Sequence, residues 1–160
     1  MRLILIRHGK PKWQSPRFIS LSQFKQRSIA YDTTGLSQEG FGDIKALATR
    51  LPQAPILSSD LPRARETAEI IGRGTAAIEY ESTFRELRAP TITTRLLDKL
   101  QAPPTLWSLM HWCCWVLGIG EHSEGPHAAW RRVARAADKI LSSSSSLSER
   151  TLFWRNYRHI

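Results

Sequence analysis

The stretch Leu3-Ile4-Leu5-Ile6-Arg7-His8-Gly9 decides how the rest of the chain is read. Four apolar residues in a row at an N-terminus predict a short, fully buried strand. A chain leaving such a strand puts its next residues at the carboxyl end of a sheet, where open α/β folds place their ligand sites. Those next residues are equipped for phosphoryl chemistry. His8 offers a nucleophile near neutral pH, and Arg7 a permanently charged fork for phosphate oxygens. Gly9 lets the backbone come close. A tripeptide of this kind also arises by chance, so its meaning rests on what lies around it.

Downstream, residues 10–31 are polar, basic and turn-rich, with Pro11 and Pro16 and a short helix expected around Ser22–Tyr31. Long connections over a site are often lids, and Lys10, Lys12, Arg17, Lys25 and Arg27 would add positive field. A solvated connection explains the same composition. Asp32-Thr33-Thr34-Gly35-Leu36-Ser37 reads as a turn with Ser37 as N-cap. Phe41, Ile44, Leu47, Ala48 and Leu51 then share one helical face, which Pro52 ends. Pro55-Ile56-Leu57-Ser58 is a second strand. The order strand, helix, strand favours an α/β sheet.

Ser58-Ser59-Asp60-Leu61-Pro62-Arg63-Ala64-Arg65-Glu66-Thr67-Ala68-Glu69-Ile70-Ile71 begins at that strand's end and opens another helix. Ser59 or Asp60 is positioned to cap it, and Pro62 suits its first turn. Arg63 therefore falls where the helix dipole and spare backbone N–H groups favour an anion. A cation in that place makes sense if it meets a phosphate. Arg65, beside Glu66 and Glu69, reads as a surface residue.

Composition narrows the classes. The chain has 160 residues, 41% hydrophobic, with a formal net charge of +9, which fits one domain and an anionic partner. The arginines are scattered, without the clustered or aromatic-interleaved pattern of nucleic-acid readers, so nucleic acid is not the expected partner. Cys113 and Cys114 are adjacent, a spacing that suits neither a bridge nor a metal site. They read as reduced, buried, cytosolic thiols, and a cytoplasmic location is expected. Leu106 to Ile119 is too short to span a bilayer and contains His111. With three tryptophans it reads as a core helix or buried interface, and His111 as a core or interfacial histidine.

Taken together, Arg7-His8-Gly9 after an N-terminal strand, the turn with Leu36 and Gly40, and Ser59-Asp60-Leu61-x-Arg63-Ala64-x-x-Thr67-Ala68 resemble the histidine phosphatase superfamily, the phosphoglycerate-mutase-like group. The resemblance runs from residue 1 to about 90 and continues more weakly over 120–141. It implies a three-layer α/β sandwich, a mostly parallel central sheet with helices on both faces, here with incomplete C-terminal elements. It also implies a phosphatase that uses no metal or cofactor. His8 would be the nucleophile, forming a phosphohistidine, and Arg7 and Arg63 would bind the phosphoryl group of a small phosphorylated substrate or a phosphoprotein. Glu86, in Phe84-Arg85-Glu86-Leu87 after the strand-like Ala77-Ile78-Glu79-Tyr80, matches the family's acid/base position. Its bland alternative is a solvent-facing partner of Arg85 or Arg88. Arg85 itself reads equally as a substrate contact or a surface charge.

Glu121 to His127 loosely resembles the family's turn before its penultimate helix, where His122 and His127 are pocket candidates. In the following helix, Ala128 to Leu141, Trp130, Val133, Ala137, Ile140 and Leu141 make an apolar face, with the arginines outward. Ser142 to Ser146 is a serine run, a flexible linker by composition. The family would next carry a second catalytic His-Gly. This chain has Thr151-Leu152-Phe153-Trp154, which suits a short strand, and then His159 as the sole downstream histidine. His159 is the tentative second histidine within an atypical tail, 142–160, of a single domain. The expectation is a C-terminus truncated or read out of frame, which an apolar strand restored in another frame beyond codon 146 would bear out. Impaired turnover follows, with a non-catalytic phospho-ligand binder or degenerate family member as the alternative. An uncovered sheet edge would also favour a homodimer.

Overall fold

Strand–helix alternation runs through the first eighty residues of the computed structural model, which describes residues 2–87, 97–119, 124–144 and 149–152. In chain order the elements are β1 (Arg2–Leu5), α1 (Leu21–Asp32), α2 (Gln38–Ala48), β2 (Ile56–Ser59), α3 (Pro62–Gly72) and β3 (Ile78–Glu81). They continue with 3₁₀ turns at Ser82–Phe84 and Leu97–Lys99, then α4 (Pro104–Val116), α5 (Pro126–Ser144) and β4 (Glu149–Leu152). The chain divides into two units. The first comprises Met1–Trp13, Thr33–Glu86 and Arg132–Tyr157, and the second Gln14–Asp32, Leu87–Arg131 and Arg158–Ile160. Among the described residues, no helix is long and apolar enough to cross a membrane.

The first unit is built on a parallel sheet with strand order β1-β4-β2-β3. One face is covered by α2 and α3, where Ile6, Ile44, Ala48, Ile56, Ala68 and Ile71 form the core and Ile4, Ile78 and Tyr80 pack against it. Side chains alternate across a strand, so Glu79 and Glu81 point to the other face. There Lys139 of α5 pairs with Glu79 at 2.7 Å and with Glu81. Both carboxylates raise the Lys139 pKa. Leu57, in register with Glu79, is buried. Helices thus lie on both faces of a parallel sheet, as expected.

Several expectations need correction. The first strand is not buried on both faces: Leu3 and Leu5 are 42% and 51% exposed. Among the described strands it lies at one edge of the sheet, and α5 is tied to β3 at the opposite edge. Burial on α5 falls on Ala129 and Ala136, while Trp130 and Leu141 are exposed and Arg132 and Lys139 turn inward. Polar anchors, not the apolar stripe, orient this helix. It also runs on through Ser144, taking up three residues of the serine run. Residues 149–152, in the stretch read as a tail, form β4 between β1 and β2.

Two glycines explain how the chain after β1 meets α2. A Cβ on Gly9 would stand 2.8 Å from both the Gly40 carbonyl oxygen and Ile44 Cγ1, and one on Gly40 would overlap the Lys10 backbone. The contact is fastened by hydrogen bonds from Ser37 N to Lys10 O (2.8 Å) and from Lys12 N to Gly35 O (2.9 Å). Ser37 Oγ caps α2, accepting from Gly40 N at 3.0 Å. Gly40→Ala should therefore destabilise by about 1–3 kcal/mol. Gly42→Ala, on the same helix with open space around it, should stabilise by about 0.5–1 kcal/mol. Urea-unfolding midpoints of the two variants check both signs.

The second unit has its own core of Ile19, Leu21, Ala102 and Trp107, with Phe24, Leu97 and Met110 against it. Trp107 Nε1 donates to Ile19 O at 2.8 Å. One turn on, His111 is buried, its Nδ1–H donating to Trp107 O at 2.7 Å, a core histidine as one reading held. Trp107 and His111 share the inward face of α4. Cys113, two residues on and so nearly opposite, is exposed, which corrects the expectation of a buried thiol. Burial lowers the His111 pKa from 6.5, aided by the nearby Lys25 charge and opposed by the Trp107 hydrogen bond. The unfolded chain then takes up this proton first, so stability should decline as pH falls below 6.5. Denaturant midpoints between pH 7 and 5 should show that slope, and His111→Gln should flatten it.

Candidate active site

Three of the sequence-selected residues converge in the first unit. His8 follows β1 by three residues, Arg63 opens α3 directly after β2, and Glu86 follows β3 and its 3₁₀ turn. Parallel strands bring all three carboxyl ends to the same edge of the sheet. His8 Nε2 lies 3.4 Å from Glu86 Oε1, and Arg63 Nη2 lies 3.3 Å from the same oxygen. The imidazole and the guanidinium thus flank one carboxylate oxygen, within reach of a single phosphoryl group.

The imidazole is oriented by its own loop. His8 Nδ1 lies 2.7 Å from Gly9 O, and a carbonyl only accepts, so Nδ1 carries the proton. In the neutral ring the lone pair is then on Nε2. That atom is buried, makes no hydrogen bond among the described residues, and faces Glu86. The Arg63 side chain is 0% exposed, the Glu86 side chain 18%. A guanidinium so fully removed from water is stable only beside an anion.

Thr67 ties the two halves together. Its Oγ1 accepts from Gly9 N at 3.1 Å and donates to Arg63 O at 2.7 Å. It stands four residues after Arg63 on α3, one helical turn along. In the sequence Thr67 stands out only as part of a motif, although its spacing from Arg63 signals a shared face. Glu66, its neighbour, accepts from Leu36 N at 2.6 Å and holds the turn before α2.

Asp60 does not cap α3. Leu61 is the N-cap, with no side-chain cap bond, and Ser59 Oγ accepts from Leu61 N at 3.4 Å. The Asp60 carboxylate is engaged instead by Arg85, whose Nε and Nη2 donate at 2.6 and 2.5 Å. That hydrogen-bonded pair lowers the Asp60 pKa from 3.8. Arg85 is thereby a structural partner of the β2–α3 turn. Arg65 is exposed and stacks over Tyr80 at 4.4 Å.

Two of the remaining candidates lie among the described residues. Arg7 is exposed and makes no ion pair or hydrogen bond with a described residue. His127 is exposed in the first turn of α5. His122 and His159 lie outside the described residues. Among the described residues, no group of His, Cys, Asp or Glu is arranged to hold a metal ion.

Replacing Thr67 by Val should leave the buried Gly9 N–H without its acceptor and cost about 1–3 kcal/mol. Thr67→Ser, which keeps both bonds, should cost clearly less. Urea unfolding of the pair measures the difference.

The family model described as "Histidine phosphatase superfamily (branch 1)" matches residues 3–148. Escherichia coli proteins named "Probable phosphoglycerate mutase GpmB" are 31% identical over 111 residues, covering 67% of this chain and 47% of theirs. The chain therefore spans about half the length of the curated relatives it matches. Among solved structures, the alpha-ribazole phosphatase from Shigella flexneri superposes with a TM-score of 0.64 at 21% identity, covering 98% of this chain and 74% of that one. A mycobacterial glucosyl-3-phosphoglycerate phosphatase gives 0.61 at 18% identity, covering 94% and 71%. At these identities the structures establish the fold. With the family model spanning nearly the whole chain and the fold in agreement, this chain belongs to the histidine phosphatase superfamily, branch 1.

Proposed function

We propose that the chain is a phosphatase acting on a small phosphomonoester or a phosphohistidine through an intermediate on His8. The observation that carries this reading is the approach of His8 Nε2 and the buried Arg63 guanidinium to one oxygen of Glu86. In the first step the Nε2 lone pair attacks phosphorus and the bond to the leaving atom breaks. Glu86, protonated, gives that atom its proton. In the second step Glu86, now a carboxylate, takes a proton from water as the water oxygen attacks phosphorus. The P–N bond breaks, and phosphate and neutral His8 are regenerated. Splitting one hard displacement into two easier ones is the gain from a covalent intermediate. Arg63 is fixed before the substrate arrives and meets the charge on the phosphoryl oxygens without solvent reordering. Arg7, exposed at the mouth of the same strand end, is the second phosphate-binding cation in this reading.

Phosphate binding without efficient turnover is the second reading. It would hold if no second histidine shared the phosphoryl pocket with His8. A missing donor to a transferring oxygen lowers rates by about a hundred- to a thousandfold. His159 is the candidate to supply that donor.

Incubation with a labelled phosphodonor should put acid-labile, base-stable phosphate on His8, and His8→Ala should abolish both the label and p-nitrophenyl phosphate hydrolysis. Hydrolysis that survives in His8→Ala would refute the intermediate. Labelling without turnover would select the second reading.

A further inference from the structure

We propose that Arg132 of α5 is a positioning residue for Glu86, an inference that rests on the acid/base role given to Glu86 above. One nitrogen of Arg132, Nη1, donates two hydrogen bonds, to Thr83 O at 2.7 Å and to Arg85 O at 2.8 Å. The Arg85 carbonyl belongs to the peptide unit that continues into Glu86. Fixing it fixes the plane from which the Glu86 side chain departs. The Thr83 carbonyl lies in the 3₁₀ turn just before, where chain ends leave acceptors in need of a donor.

The segment is therefore gripped from two directions. On one side Asp60 holds the Arg85 side chain by two hydrogen bonds. On the other Arg132 holds the Arg85 and Thr83 main chain. Between these grips Glu86 leaves the backbone toward His8 and Arg63. No regular strand or helix holds residues 85–87 in place. The direction of the carboxylate is thus set by side chains arriving from β2–α3 and from α5. A guanidinium suits this task because its two Nη1 hydrogens lie in one plane at a fixed angle, matching two neighbouring carbonyls, those of Thr83 and Arg85. A misplaced acid would still leave His8 and Arg63 able to bind a phosphoryl group. It would fail chiefly where the leaving oxygen needs a proton.

That distinction gives the test. Single-turnover phosphoryl transfer to His8 is measured with p-nitrophenyl phosphate, whose leaving group needs little protonation, and with glycerol 2-phosphate, whose leaving group needs it. Glu86→Gln should slow the alkyl ester far more than the aryl ester, by about a hundredfold if general acid catalysis operates. Arg132→Met, which keeps the stem, should reproduce the pattern with at least a tenfold selective loss. The double variant should be no slower than Glu86→Gln alone. Arg135→Ala, an exposed arginine on the same helix, should change neither rate.

Equal slowing of both esters by Arg132→Met, with losses that multiply in the double variant, would overturn the proposal in favour of a structural role. So would no change at all. If instead Glu86→Gln itself slows both esters equally, the acid role of Glu86 is what fails, and the two failures are distinguished. A readout independent of turnover is the His8 imidazole ¹⁵N resonance at fixed pH. Glu86→Gln should move it and Arg132→Met should move it the same way. A wild-type resonance in Arg132→Met, where Glu86→Gln displaces it, would also overturn the proposal.

Discussion

A guanidinium buried to 0% exposure, that of Arg63, is the constraint on which the candidate site turns. Taking an ion of this size from water into a protein interior costs several kcal/mol even after relaxation. The fold bears that cost only if an anion is held beside it, and the Glu86 carboxylate is the anion on hand. Much of the local architecture serves that pairing. Thr67 locks the helix turn that carries Arg63 to the loop that carries His8. The Asp60–Arg85 pair draws the Glu86 segment onto the β2–α3 turn, and α5 grips the same segment from its main-chain side. The site is thus a buried charge with its surroundings arranged to keep one carboxylate opposite it.

Much of this was legible because the early elements are specified locally. Ser37 caps α2 as its residue type and place suggest, and β2, α3 and β3 fall within one or two residues of their expected bounds. The apolar spacing that marked Ile44 and Ala48 as core also held. His8 and Arg63 were readable from elementary chemistry, since a nucleophile at one strand end and a cation at a helix start have a common use. Glu86 was readable only through family resemblance. Its neighbours offer no pattern that separates it from a surface carboxylate.

What was illegible depends on partners distant in sequence. Leu3 and Leu5 look buried in a run of aliphatics, and whether a helix covers them is decided by where α5 settles. The arginines of α5 look like an outward face because hydropathy places charge outside. Arg132 turns inward to main-chain carbonyls, and carbonyls carry no residue identity for a sequence reader to match. Asp60 has the chemistry of an N-cap, but a bidentate guanidinium competes for the same carboxylate and takes it. Cys113 was assigned to the core from composition, and its exposure follows from lying nearly opposite His111 on one helix. The misses at Arg132 and Asp60 are cases of tertiary contact overriding a local preference.

The strand order carries a consequence for biosynthesis. β1 is made well before β4, yet among the described strands β4 is its sole neighbour, with Arg2 beside Glu149 and Leu5 beside Leu152. A nascent chain still on the ribosome has this hydrophobic ladder synthesised but unmatched until residues 149–152 are translated. Pairings this far apart in sequence form slowly, and unpaired edges are adhesive while they wait. Among the described strands, the segment that delivers the imidazole therefore waits longest for its pairing.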